Sequence, residues 1–250
     1  MASILELAHL ADDVYQDRST GSGPWHRINS RPPADGIAGF FGASYRNGNV
    51  IVLAFRGSET NDVARDWIVN DGAILCKVLP LPQIREAEHF TVTTLASIGS
   101  SVSVYIAGHS LGGALTQVVA GGRAHVTGVT FNAPGMADHH FQGHARFANA
   151  AHIVNLRAAG DPVSKFGKFI GKGPITVPHG RGGNAVRVHR SHGGGVFAGI
   201  VSYVASGVDR AEHVTKAVLH GADAHSMTKF IADIAADPIG KKTPQQLLAG

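Results

Sequence analysis

A chain of 250 residues, 44% hydrophobic and only 16% charged, carries enough apolar material for a sizeable core, which excludes wholesale disorder. Its 32 glycines are nearly twice the average usage of roughly 7% but follow no G-X-Y period, so collagen is excluded and the excess belongs to turns and close backbone approaches. A single cysteine, Cys76, excludes an internal disulfide and a Cys-rich zinc site, and the charge balance of 22 basic to 18 acidic residues is mild.

The N-terminus, MASILELAHLADDVY, carries Glu6, Asp12 and Asp13 and lacks a basic leader, so it does not read as a signal peptide. A protein that is cytoplasmic as synthesised is expected, with export by a signal-less route left open. Residues 3–16 predict an amphipathic helix opened by the capping box Ser3-Ile4-Leu5-Glu6. Residues 18–35 read as a loop. The apolar runs Ile37–Tyr45 and Val50–Phe55 flank Asn47-Gly48, which predicts a hairpin with a type I′ turn. Thr60–Asn70 predicts a short helix bearing Trp67, and residues 82–98 a longer one. Val102–Ile106 predicts a strand, Ala114–Ala120 a helix, and His125–Phe131 and Ile153–Leu156 two more strands. Residues 162–208 look irregular, and 226–236 predicts a closing amphipathic helix. Strands alternating with helices imply an α/β fold whose sheet is parallel in its core. With no internal repeat or linker-like stretch, residues 1–250 read as one domain. The longest apolar run, Gly193–Gly207, is 15 residues, short of the 18 or more of a membrane span.

The chemistry concentrates at Gly108-His109-Ser110-Leu111-Gly112, a G-x-S-x-G between a predicted strand and a predicted helix. That context is the nucleophile elbow: a tight turn presents the serine, and flanking glycines let strand and helix approach. A serine hydroxyl needs a base, and the base needs an orienting carboxylate. Among the acidic residues that follow, Asp161 alone sits just past a predicted strand. For the base, His225 precedes the closing helix, where a helix N-terminus disfavours imidazolium. His220 is its rival and His192 a more distant one. The Leu111 N–H and Ser58, in the turn after Val50–Phe55, are placed to hold an oxyanion.

These residues resemble the class 3 lipases, serine esterases of the α/β-hydrolase fold. The matching segments run in the family's order: Ala8-His-Leu-Ala11 with Tyr15, Val52-Leu-Ala-Phe-Arg-Gly-Ser58, Asp66-Trp67-Ile68, Ala107-Gly-His-Ser-Leu-Gly-Gly-Ala-Leu115, Phe131-Asn-Ala-Pro-Gly135, Gly160-Asp-Pro-Val163 and His225-Ser226. The resemblance implies a mostly parallel sheet flanked by helices, and hydrolysis of glycerolipid esters by Ser110, Asp161 and His225 without metal or cofactor. It also implies a lid-like helix near Thr60–Ala73, in which Trp67 and Ile68 would meet substrate; the same side chains also suit packing beneath the loop. Secreted fungal members are stapled by disulfides, and this chain cannot be.

Between Asp161 and Asp209 no acidic residue occurs, whereas Lys165, Lys168, Lys172, Arg181, Arg187 and Arg190 do. Residues 165–207 therefore suit transient contact with an anionic membrane surface, or are simply a solvated basic loop. The expected partner is a lipid ester, with no nucleic acid and no membrane-spanning segment. A membrane-attacking phospholipase effector with the same triad, and a lipid-binding protein without activity, are the alternatives. The intact Ser110, Asp161 and His225 set argues against the last.

Overall fold

The computed structural model describes residues 1–31, 39–57, 81–99, 101–136, 147–180 and 225–250. Eight strands form one sheet in chain order: β1 (Gly21–Ser22), β2 (Trp25–Arg31), β3 (Gly42–Asn47), β4 (Val50–Phe55), β5 (Ser103–His109), β6 (Val126–Phe131), β7 (Ile153–Ala158) and β8 (Lys172–Val177). Pairing is antiparallel from β1 to β4 and parallel from β4 to β8. The near-continuous apolar run of β4, Val-Ile-Val-Leu-Ala-Phe, is what a strand covered on both faces requires.

Two cores lie on opposite faces of this sheet. Val52 and Ala54 of β4 join one, with α1 (Ile4–Asp13) and α4 (Met227–Ala236) packed over it; α5 (Pro244–Leu248) contributes Leu247. Ile51, Leu53 and Phe55 join the other, beneath α2 (Leu81–Ser97) and α3 (Leu111–Gly121). The split follows from strand geometry, in which successive side chains point to opposite faces. The capping box of α1 forms as expected: the Glu6 N–H donates to Ser3 Oγ at 3.3 Å, and the Ser3 N–H to Glu6 Oε2 at 2.8 Å. At the far edge His179, just past β8, meets Asp233 of α4 at 2.5 Å, and the Gly180 N–H donates to the other carboxylate oxygen at 3.1 Å. Among the described residues, no helix is long and apolar enough to cross a membrane.

Several expectations need correction. Residues 18–35 contain β1 and β2, because a strand of polar composition, Trp-His-Arg-Ile-Asn-Ser-Arg, is held by its pairing with β3 rather than by apolar alternation. The region read as irregular from 162 contains β8, whose opening Lys-Gly-Pro reads as a turn but which is paired along β7. The hairpin is present, but Asn47 pairs with Val50, so its loop is Gly48-Asn49. Only Gly48 has positive φ there (55°), whereas a type I′ turn needs it at both central residues. The expected Thr60–Asn70 helix lies outside the described residues.

Buried Asn149 ties the end of α3 to the start of β6, donating through Nδ2 to the carbonyls of Ala120 (3.0 Å) and Val126 (2.8 Å). Asn149→Ala removes both of these buried bonds, leaving the Ala120 carbonyl the Arg123 N–H at 3.1 Å, and is expected to lower stability by about 1–2 kcal/mol in urea unfolding. A change below about 0.5 kcal/mol would show that the Val126 carbonyl is satisfied some other way.

Candidate active site

The sheet aims its chemistry at the C-terminal ends of the parallel strands. Between β5 and α3, Ser110 takes φ 56° and ψ −126°, a backbone conformation that non-glycine residues adopt only under constraint. The constraint is visible. The Ser110 N–H donates to the Phe131 carbonyl at 3.0 Å, while the Ser110 carbonyl accepts from the N–H groups of Gly113 (3.0 Å) and Ala114 (3.1 Å). A Cβ on Gly108 would stand 2.3 Å from the Gly112 carbonyl oxygen, and one on Gly112 would stand 2.1 Å from that of Phe55. Helix and strands therefore meet at a distance no side chain permits. As the first residue of α3, Leu111 has no carbonyl one turn back within the helix, so its N–H is available at the elbow.

Sequence positions 110, 161 and 225 converge. The His225 Nε2 stands 3.0 Å from Ser110 Oγ, and its Nδ1 stands 2.7 Å from Asp161 Oδ1. Asp161 is 1% exposed, and its second oxygen accepts the Ser164 N–H at 2.7 Å. An ionised carboxylate only accepts, so Nδ1 carries the proton and Nε2 presents its lone pair to the serine hydroxyl. The carboxylate sits three residues beyond β7, and the histidine immediately before the N-cap of α4. A Cβ on Gly57 would lie 3.2 Å from the Ser110 Cβ, so the backbone entering Ser58 runs against the nucleophile. Ser58, Trp67 and Ile68, and the rival bases His192 and His220, lie outside the described residues.

Two further side chains reach this centre. His109 is buried beside His225, with ring centroids 4.9 Å apart, and its Nε2 faces the His225 carbonyl at 2.8 Å. Its Nδ1 faces the Tyr15 hydroxyl at 3.3 Å, and that hydroxyl accepts the Gly57 N–H at 2.9 Å. Both residues stand in segments singled out from sequence, but nothing in a linear reading joins position 15 to position 109.

Burial, reinforced by the nearby His225, pulls the His109 imidazole down from 6.5 to about 3. The unfolded chain protonates this group near 6.5, so unfolding takes up a proton between 6.5 and about 3 and stability falls as pH falls through that window. The slope from this one group is at most about 1.4 kcal/mol per pH unit. His109→Gln is expected to flatten the dependence by that amount when urea unfolding is followed from pH 7 to 4. Equal slopes in the two proteins would mean that His109 is charged in the folded state.

The geometry has parallels. The family model of a phospholipase-like group, the Tle-like phospholipase domain, matches residues 6–242. Among solved structures, the chain is similar to a triacylglycerol lipase from Penicillium expansum, at 17% identity over 69% of this chain and 77% of that one, with a TM-score of 0.52. A Rhizomucor miehei triacylglyceride lipase aligns at 18% identity over 69% and 78%, TM-score 0.49. The Lip2 lipase of Yarrowia lipolytica aligns at 13% over 70% and 77%, TM-score 0.48. No curated protein matches the sequence. The sheet order and the Penicillium likeness together make the fold that of an α/β-hydrolase.

Proposed function

The chain belongs to the family of Tle-like phospholipase domains, and from that premise we propose that it cleaves acyl esters of glycerophospholipids through an acyl-enzyme on Ser110. It is a serine hydrolase of lipid esters; the proposal concerns the ester chosen and the roles of the residues. The observation that carries it is the buried relay from Ser110 Oγ through His225 to Asp161, at 3.0 and 2.7 Å.

In this reading His225 Nε2 takes the hydroxyl proton as Ser110 Oγ attacks the ester carbonyl, forming the new C–O bond. Charge moves onto the former carbonyl oxygen, which the Leu111 N–H and Ser58 stabilise. Asp161 keeps His225 in the tautomer that accepts at Nε2 and steadies the imidazolium. The imidazolium then protonates the departing alcohol. Water, deprotonated by His225, releases the fatty acid and restores the serine.

Phospholipid is favoured over triacylglycerol by charge as well as by family. Lys165 is exposed four residues after Asp161, where the charge of a phosphate headgroup attracts it and a neutral triglyceride does not. Residues 165–207 accordingly make transient contact with anionic surfaces in this reading. Lys172 is exposed as well, and its ammonium gives one of its three donors to the Leu247 carbonyl at 2.9 Å.

Fatty-acid release from phospholipid vesicles is expected to exceed release from triacylglycerol emulsions, and to fall more than about 1,000-fold in Ser110→Ala. Asp161→Asn, which accepts the wrong tautomer, is expected to lose about 10³–10⁴ in kcat. Turnover unaffected by Ser110→Ala overturns the mechanism, and faster triacylglycerol hydrolysis overturns the substrate. Binding to anionic vesicles is expected to weaken as salt rises; weak, salt-independent binding removes the surface contact.

A further inference from the structure

One polar chain, half-buried at Tyr15 and buried at His109, touches three segments of the site without entering the reaction. It starts at the end of α1, where Tyr15 is the first residue past the helix cap, and runs through His109 to the start of α4. Its hydrogen-bond directions are fixed by elimination. The His225 carbonyl can only accept, so His109 Nε2 carries the proton and donates at 2.8 Å. A neutral imidazole then accepts at Nδ1, which makes the Tyr15 hydroxyl the donor across 3.3 Å. The hydroxyl oxygen in turn accepts the Gly57 N–H at 2.9 Å. Burial holds the Tyr15 hydroxyl protonated, well above the usual phenol range. The chain thus has a single consistent direction, Gly57 to Tyr15 and Tyr15 to His109 to His225.

We propose that Tyr15 and His109 are positioning residues that lock the backbone at Gly57, after β4, and the backbone of the base, His225, into one register about Ser110. The inference rests on the hydrolase reading above. A phenyl ring would fill the same place without burying a polar group, so packing alone does not call for an imidazole. What an imidazole adds is a donor to the His225 carbonyl and an acceptor for Tyr15, one on each side of the ring. Neither residue meets substrate. Each acts by holding groups that do, and small displacements of such groups lower the rate of the chemical step more than they weaken binding.

The test uses wild type, Tyr15→Phe, His109→Phe and His109→Gln, with Ser110→Ala as the control, on a soluble short-chain p-nitrophenyl ester. Tyr15→Phe and His109→Phe are expected to lower kcat about tenfold or more while KM stays within about twofold. His109→Gln, whose amide can donate to the same carbonyl, is expected to recover most of what the phenyl variant loses. Imidazole ¹⁵N spectra of Ser110→Ala, in which the chain is otherwise intact, are expected to show His109 protonated at Nε2. The proposal is overturned if His109→Phe keeps the wild-type kcat, if glutamine is no better than phenylalanine, or if His109 is protonated at Nδ1. Should His109→Phe not fold, Tyr15→Phe and the spectra still decide. Turnover that survives Ser110→Ala sinks the hydrolase reading itself, whereas Ser110-dependent turnover indifferent to positions 15 and 109 sinks only this inference.

Discussion

The arrangement depends on one close approach: the first turn of α3 pressed against the ends of β4 and β5. Contact at that range excludes a Cβ at Gly108 and Gly112, and it forces Ser110 into positive φ. The strain is local, but what holds it is distributed. Hydrogen bonds to the Phe131 carbonyl and from the N–H groups of Gly113 and Ala114 over-determine the serine backbone, and the parallel pairing of β5 between β4 and β6 fixes the platform beneath. The helix N-terminus then arrives with unpaired N–H groups beside the serine oxygen, so the geometry that strains the backbone also supplies the partial positive charge. Nucleophile presentation and, in the proposed mechanism, oxyanion stabilisation are two results of a single packing event.

A second theme is that the buried ionisable groups around the nucleophile each meet partners. Asp161 is enclosed, yet one carboxylate oxygen meets His225 and the other the Ser164 N–H. His109 is enclosed, and both its nitrogens face partners. Two imidazoles at 4.9 Å would repel if both were charged. Burial keeps His109 uncharged, which leaves the adjacent ring free to carry a proton during turnover without a cation beside it.

Much of this was legible in the chain. The elbow stands out because its glycines answer a steric demand within five residues. Asp161 could be picked out because it follows a β-rich run, and His225 because it precedes an amphipathic helix. Of the strands that escaped sequence reading, β1 is two residues long, β2 is polar and β8 opens on Lys-Gly-Pro; pairing with a neighbour stabilises them, and a neighbour's position is not encoded locally. The hairpin turn shifted by one residue because the strand pairing ran on through Asn47. The Tyr15–His109 contact spans 94 positions and has no periodicity to betray it. Residue identities at the site were readable; the wiring between them required the fold.

The clasp of His179 and Gly180 on Asp233 sets how length is distributed along the chain. Gly180 is fastened to α4, and His225 stands eight residues before Asp233, about 12 Å along a helical rise. Whatever the chain does between 180 and 225, it leaves from and returns to the same helix. Closing such an excursion becomes only slowly less favourable as it lengthens, by about 0.6 kcal/mol for each doubling. Insertions and deletions there leave the distance from the carboxylate to the base unchanged, because the helix and the sheet edge, not the excursion, determine it.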